Sequence, residues 1–397
     1  MSRDLTPPSP TPHVAFYNDP KIRSTFYQVA LLSAIAFLVY GAVTNAIENL
    51  ARANIASGFG FWNNTAGFDI SQSLIYYSSQ ASTYGRAFWV GLLNTLLVAS
   101  LGIVFATVLG FIVGLSRLSK NWLLSKVAGG FVETIRNLPL LLQLLFWYNA
   151  VLKALPDIRD SIHIPGGAMI NNRGLFLPRP EFLYGFELVP IALAVGVVAA
   201  IGFSVWARRR QARTGQQAPT AAVTLALVIG LPLAALALRG FPLEFSYPQA
   251  GRFNIAGGIE VLPEFAALLF GLSVYTAAFI AEVVRAGVLA VPHGQVEAAY
   301  SLGLQPRPTL RLVVVPQAMR VIIPPLTSQY LNLTKNSSLA VAIGYPDLVQ
   351  VFTGTVLNQT GQAVEVVAIT MMVYLVISLT TSLLMNIYNR RVALVER

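Results

Sequence analysis

Cysteine is absent from this 397-residue chain, histidine occurs only three times, and charged residues make up only 11% of it. Without thiols, no disulfide, thiolate metal site or cysteine nucleophile can form. The sequence has no Gly-Lys pair, which excludes a phosphate-binding P-loop and hence a self-contained ATPase. It also lacks a His-Glu-x-x-His pair and a Gly-x-Ser-x-Gly elbow, so an intramembrane enzyme is disfavoured.

Long apolar stretches dominate what remains. Hydrophobic residues make up 55% of the chain and its mean hydropathy is +0.62, whereas a soluble domain carries roughly 25% charged residues. Several stretches exceed the ~20 residues that a helix needs to cross the hydrocarbon core of a bilayer. The predicted fold class is therefore an all-α integral membrane protein with about eight transmembrane helices. The predicted spans are residues 25–46, 88–115, 128–152, 187–206, 219–238, 263–285, 322–343 and 366–387.

Several segments outside these spans have distinct compositions. The N-terminal tail, residues 1–24, is polar, rich in proline and unlike a cleavable signal, so the first span is expected to remain as an anchor. The segment 48–84 is rich in aromatic residues and could hold a helix lying at the membrane interface. The segment 157–186 carries mixed charge and Pro-Gly turns.

The net charge of +10 indicates orientation, because lysine and arginine accumulate in cytoplasmic loops. With the N-terminus inside, 17 of the 27 basic residues fall on the cytoplasmic side and eight fall outside. The inside set is Arg3, Lys21, Arg23, Arg117, Lys120, Lys126, Arg208, Arg209, Arg210, Arg213, Arg285, Arg307, Arg311, Arg320, Arg390, Arg391 and Arg397. The asymmetry predicts that both termini, including the tail 389–397, are cytoplasmic.

One polar island, residues 287–320, lies in a cytoplasmic position of this scheme. A short helix is expected from residue 295 to 302, and Gly303 follows it where a left-handed closing residue is favoured. A second short helix is expected to begin near Pro308, because proline is tolerated in a first helical turn.

The spacing of Glu297, Ala298, Ala299, Gly303 and Pro316 resembles the Glu-Ala-Ala loop of ABC-importer permeases. Val313 and Val315 stand where that family has Ile and Leu, which keeps the apolar bulk. The resemblance implies a contact with a separate ATPase, in which the two alanines would enter a groove and Glu297 would fix the register. The alternatives are an ordinary amphipathic loop and a Glu297 side chain that caps the loop internally.

Three further segments, 133–143, 275–287 and 332–339, are similar to the histidine/glutamine-type permeases for polar amino acids. The resemblance covers the five-helix core of that family, at residues 88–152 and 263–388. Three extra helices would come from residues 25–87 and 153–262, a plan that resembles the enlarged permeases of general L-amino-acid importers. An importer of this kind would move L-amino acids from the periplasm to the cytoplasm across the bacterial inner membrane.

The resemblance also implies partners. These would be two ATPase subunits, a second permease that is related but different, and a periplasmic amino-acid-binding protein. ATP would be bound by the partner, so no cofactor, enzymatic activity or nucleic-acid contact is expected of this chain. A secondary transporter or channel for small polar solutes is the alternative, although no duplicated halves are visible.

Polar side chains within the apolar spans are candidates for the substrate path, since a charge at membrane depth is costly unless it is paired or faces a cavity. Glu133 and Arg136 could pair with each other on one helical face. Asn137-Leu138-Pro139 is expected to break the third span. Amides could instead form interhelical hydrogen bonds. The candidates are Glu133, Arg136, Gln143, Glu282, Asn332, Lys335 and Asn336.

Overall fold

The computed structural model describes residues 20–52, 58–251 and 254–392. The predicted tails, 1–24 and 389–397, lie largely outside the described residues. Helices account for most of the described chain, which confirms the all-α membrane class. The helices are α1 (Pro20–Arg52), α2 (Tyr84–Arg117), α3 (Trp122–Asn137), α4 (Leu140–Leu152), α5 (Leu188–Thr214), α6 (Thr220–Leu238), α7 (Pro263–Leu289), α8 (His293–Ser301), α9 (Pro306–Ile343), α10 (349–360) and α11 (Ala363–Val392).

Seven of these helices in the described chain are long and apolar enough to cross a membrane, against about eight predicted spans. The difference is the third span, which consists of α3 and α4 rather than one helix. Leu138 is extended, with φ −98° and ψ 133°, because the ring of Pro139 disfavours helical backbone in the residue before it. The predicted break is therefore present at Leu138.

The centre of the bundle is formed by α2, α7 and α9. The helices α2 and α7 run side by side, and two glycines of α2 allow their close approach. A Cβ atom on Gly110 would lie 2.6 Å from Cβ of Ile280, and one on Gly114 would lie 2.7 Å from the carbonyl oxygen of Ala281. Small residues at such crossings let helix backbones pack closely where no hydrophobic effect acts between helices.

The helix α9 differs from the predicted elements in two respects. It runs without interruption from Pro306 to Ile343, so the second helix of the polar island and the seventh span form one element. Pro306 rather than Pro308 begins it. Its middle contains Pro324 and Pro325, and a π-helical stretch, Leu310–Val314, precedes them.

Short strands connect α4 to α5 and α6 to α7, and the sequence did not predict them. The strands β1 to β4 are Ile162–Ile164, Ala168–Asn171, Gly174–Leu177 and Arg179–Phe182. The strands β5 to β8 are Leu243–Ser246, Gln249–Ala250, Ile255–Ala256 and Ile259–Val261. They form antiparallel sheets in the orders β1-β2-β3-β8, β4-β5 and β6-β7. We call this end of the molecule the sheet end, and the end that carries α8 the loop end.

The three helices outside the predicted five-helix core lie away from the centre of the bundle. The helix α1 is exposed along its apolar stretch. The helices α5 and α6 form a hairpin, whose main packing contacts are with each other.

The segment 58–83 packs against α2 and α10 instead of holding a long interfacial helix. Its only regular helical turn in the described residues is a 3₁₀ helix, Gly60–Asn63. Phe61 of this turn is buried with Phe88 and Phe352 in an aromatic cluster at the sheet end. The segment therefore belongs to the core of the protein.

Candidate functional site

The polar island folds as α8 followed by the first turns of α9. The helix α8 ends at Ser301, with Leu302 as its C-cap, because Gly303 adopts φ 75°, a left-handed conformation that glycine adopts without steric cost. The amide of Leu304 then donates to the carbonyl oxygen of Ala299 at 3.1 Å, which satisfies one of the free carbonyls at the helix end. The predicted short helix closed by Gly303 is confirmed.

Glu297 and Ala298 lie on the exposed side of α8. The Glu297 side chain is 68% exposed, and its Oε1 lies 2.9 Å from Nδ1 of His293, one turn earlier. Ala298 is exposed, whereas Ala299 is only 4% exposed and packs within its own chain. The expectation that both alanines share an outward face is therefore wrong, because neighbouring residues on a helix point about 100° apart.

Apolar side chains that the sequence analysis did not single out surround this exposed face. Leu302 is 81% exposed and Tyr300 is 49% exposed, and Leu312 follows at the start of α9 with 65%. Pro316 lies within α9, is exposed and does not end a helix. Large exposed apolar side chains on a short polar helix are typical of a surface that a partner covers.

A cluster of charges joins α2, α3 and α7 near the loop end. Glu282 accepts hydrogen bonds from Arg117 and from Nη2 of Arg285, the latter at 2.5 Å. Nη1 of Arg136 lies 4.0 Å from the same carboxylate, and its guanidinium covers the ring of Phe279 at 5.1 Å from the ring centre. Arg136 therefore contacts Glu282, and no ion pair with Glu133 is present among the described residues, contrary to one expectation. Since the partners come from three helices, sequence spacing could not reveal them.

Gln143 lies at the break between α3 and α4. Its side chain is buried, and Nε2 donates to the carbonyl oxygens of Ile135 at 2.9 Å and Leu138 at 3.0 Å. A broken helix leaves such carbonyls without amide donors, and unsatisfied backbone groups are costly in a membrane. Gln143 therefore holds the break together. These two hydrogen bonds support an interhelical role for Gln143, whereas its role in the substrate path stays a prediction.

The remaining polar candidates lie in the last α-helical turns of α9. Asn332 and Lys335 are exposed, and Asn336 is partly buried. A 3₁₀ helix, Ser337–Ile343, follows them directly. Glu133 is exposed on α3. The assignment of these four residues to a substrate path stays a prediction.

A buried group of hydrogen-bonded polar residues lies at the sheet end and was not predicted from the sequence. Asp347, which lies between α9 and α10, is 1% exposed. Its Oδ1 accepts from the amide of Gln350 at 2.8 Å and its Oδ2 accepts from the hydroxyl of Tyr374 at 3.1 Å. Asn94 of α2 donates to the carbonyl oxygen of Pro346 at 2.9 Å. Burial raises the pKa of Asp347 from its ordinary value to about 7, because the charged form loses its hydration.

Known proteins resemble this chain over nearly its whole length. Residues 214–394 match the family of binding-protein-dependent transport system inner membrane components. The general L-amino acid transport system permease protein AapQ of Rhizobium johnstonii is 55% identical over 96% of this chain and 94% of its own length. The putative amino-acid ABC transporter permease protein YhdX of Escherichia coli is 53% identical, over 96% and 97%. The glutamate/glutamine/aspartate/asparagine transport system permease protein BztB of Rhodobacter capsulatus is 43% identical, over 96% of each chain.

A solved structure of an amino acid ABC transporter matches 78% of this chain and 95% of its own, at 22% identity and with a TM-score of 0.46. The relatives cover both predicted parts of the core and the extra helices. This chain is a multi-pass inner-membrane protein and belongs to the permease subunits of amino-acid ABC transporters.

Proposed function

We propose that this chain imports L-amino acids into the cytoplasm, driven by ATP hydrolysis on a separate subunit that docks against residues 287–320. The observation that supports the proposal most directly is the exposed face of α8, where Glu297 and Ala298 stand beside Tyr300 and Leu302. A permease without its own nucleotide site must receive mechanical work through a contact, and this face provides one. Ala299 packs inside the loop, and Gly303 closes the helix α8. Pro316 belongs to α9, the helix that would transmit the movement.

The packing of α7 on α9 explains how movement of the loop would reach the membrane. A Cβ atom on Gly287, near the end of α7, would clash with the side chain of Ile322 and lie 3.3 Å from the carbonyl oxygen of Ala318. The side chains of Ala318 and Ile322 are buried in this contact. The helix α8 is thus held between two helices that are in close contact, so displacement of α8 would move both together.

The composition of the complete importer is part of the same proposal. We infer two ATPase subunits, a second related permease and a binding protein on the periplasmic side, with both termini of this chain in the cytoplasm. The transport core would be residues 88–152 and 263–388. The substrate class rests on relatives whose names specify L-amino acids, or glutamate, glutamine, aspartate and asparagine.

The charge cluster offers a place for the carboxylate of an amino acid. Within the described residues, three guanidinium groups surround the single carboxylate of Glu282. Arg136 makes the longest of the three contacts and its side chain is 39% exposed, so it retains donors for a second anionic partner. The ammonium group of the substrate would require acceptors, for which the candidates are Glu133, Asn332 and Asn336. Lys335 and Gln143 complete the proposed path.

The experiment is ATP hydrolysis and amino-acid uptake by the complete importer in proteoliposomes. We expect Glu297→Arg and Gly303→Pro to abolish the hydrolysis that substrate and binding protein stimulate, while the variants still insert into the membrane. Gln295→Arg is the matched control, because it places the same charge on another side of α8. Wild-type coupling in both loop variants would refute the docking role.

One further variant separates the two proposed roles of Glu297. If the carboxylate only caps the loop through His293, then His293→Ala should reproduce the loss caused by Glu297→Arg. If Glu297 contacts the ATPase, His293→Ala should retain most of the coupling. Uptake by the purified chain alone, driven by an ion gradient without ATP, would instead favour the secondary transporter.

A further inference from the structure

The hairpin of α5 and α6 has a close crossing at one level and an open groove beyond it. A Cβ atom on Gly196 would collide with the carbonyl oxygen of Leu227, so the two backbones are in contact there. Ala200 and Ala207 of α5 are also buried. Most other side chains of the hairpin are apolar and exposed, including Val198 at 70% and Leu225 at 62%.

Two adjoining cavities of about 330 Å³ and about 380 Å³ form a groove along this hairpin. They share Ser204, Thr224 and Val228 in their linings, so they lie next to each other. Among the described residues, the hydroxyls of Ser204 and Thr224 have no hydrogen-bonded protein partner. The hairpin groove is lined by Val197, Ile201, Ser204, Thr224, Val228 and Ile229.

The end of the groove that is farthest from the sheets is strongly basic. Arg208 lines the groove itself, and Arg209, Arg210 and Arg213 follow within two turns, all of them exposed. The stretch 207–219 contains no aspartate or glutamate, so no carboxylate of this connection neutralises the arginines. The guanidinium of Arg210 covers the ring of Trp206 at 5.4 Å from its centre, which places an aromatic ring beside the charges.

We propose that the hairpin groove binds an anionic phospholipid, with an acyl chain along the groove and the phosphate at Arg208 and Arg209. Along the groove, the apolar wall is followed by the two hydroxyls and then by the arginines. A phospholipid has its acyl chain, glycerol region and headgroup phosphate in the same order. Arginine binds phosphate through two parallel hydrogen bonds. Basic residues at a membrane surface each raise the affinity for anionic lipid about fivefold. The positive charge also agrees with a cytoplasmic position of this end. The lipid would bind whether or not the chain transports amino acids.

The test is binding of lipid to the purified full-length chain in mild detergent, measured by native mass spectrometry. We expect phosphatidylglycerol to bind at least about tenfold more tightly than phosphatidylcholine. The double substitution Arg208→Gln with Arg209→Gln should remove most of this preference. The double substitution Lys120→Gln with Lys126→Gln removes the same charge from exposed positions in the α2–α3 connection and the start of α3, and it should leave the preference unchanged.

Two further measurements test the groove itself. Ser204→Phe keeps every arginine but fills the groove, and it should weaken phosphatidylglycerol binding. Glycerol 3-phosphate, which has the phosphate but no acyl chain, should not compete. The proposal would be overturned by equal binding of the two lipids, or by equal losses in the arginine and lysine variants. Effective competition by glycerol 3-phosphate, or a partner protein that occupies the groove, would also overturn it.

Discussion

Nε2 of Gln143 donates a hydrogen bond to the carbonyl oxygen of Leu138 across the break between α3 and α4, at 3.0 Å. A second bond from the same nitrogen reaches Ile135. One side chain therefore replaces two of the amide donors that a continuous helix would have supplied. The break is consequently a stable part of the structure with its own partner.

Gln143→Leu should lower the thermal stability of the purified protein. The substitution leaves the carbonyls of Ile135 and Leu138 without this donor. Both bonds are only partly buried, so we expect a cost near the lower end of the about 1–3 kcal/mol that an unsatisfied buried group carries. The measurement is a thermal melting curve in detergent, with Asn149→Leu as the control. Asn149 also bonds to a backbone carbonyl, but it is exposed and within a helix. Equal melting temperatures for the two variants would contradict the bracing role.

Glu282→Gln should destabilise the loop end of the bundle. The change leaves Arg117, Arg136 and Arg285 facing one another without a carboxylate, and a charged hydrogen bond contributes about 1.5–3 kcal/mol. Adding Arg117→Gln should restore part of the loss, because it reduces the repulsion. Melting temperatures of the single and double variants give the coupling. Strictly additive effects would mean that Arg117 and Glu282 do not interact.

Asp347 should make stability depend on pH. Its folded pKa of about 7 lies above the ordinary value of 3.8, so between these values the folded state keeps a proton that the unfolded state loses. Stability should therefore be greatest below about pH 4 and fall as the pH rises to 7, by at most about 4 kcal/mol. Melting temperatures between pH 4 and 8 should show this slope, and Asp347→Asn should remove it. An unchanged slope in that variant would assign it to another group.

The absence of cysteine provides a clean test of the proposed orientation. Single substitutions Ser301→Cys in α8 and Ser73→Cys in the segment 58–83 place thiols on exposed sites at opposite ends of the bundle. A membrane-impermeant thiol reagent applied to whole spheroplasts should label position 73, and position 301 only after lysis. The reverse pattern would place both termini outside.

Features that depend on local chemistry could be predicted from the sequence. The end of α8 at Gly303 needs only a glycine after an amphipathic helix, and the break at Leu138 needs only the ring of Pro139. The continuation of α9 before the predicted span 322–343 could not be predicted. Pro324 and Pro325 lie in the first turn of that span, where proline ordinarily marks the start of a helix.

The partners of charged groups were also beyond sequence reasoning. Arg136 and Glu282 are 146 positions apart and meet only because α3 packs on α7. The strands were missed because they contain only two to four residues each, which is too short for an alternating pattern to be recognised. Asp347 carries no motif, and its burial follows from the packing of Asn94 and Tyr374 around it.

The pairing of β3 with β8 makes the hairpin a removable module. Leu177, the last residue of β3, lies directly opposite Ile259 at the start of β8, so the chain departs from and returns to the core at neighbouring points. Everything between them, residues 178–258, could be excised and its ends joined by a tight turn without stretching the backbone. The path of the chain through the bundle of α2, α7 and α9 therefore does not depend on the residues between β3 and β8.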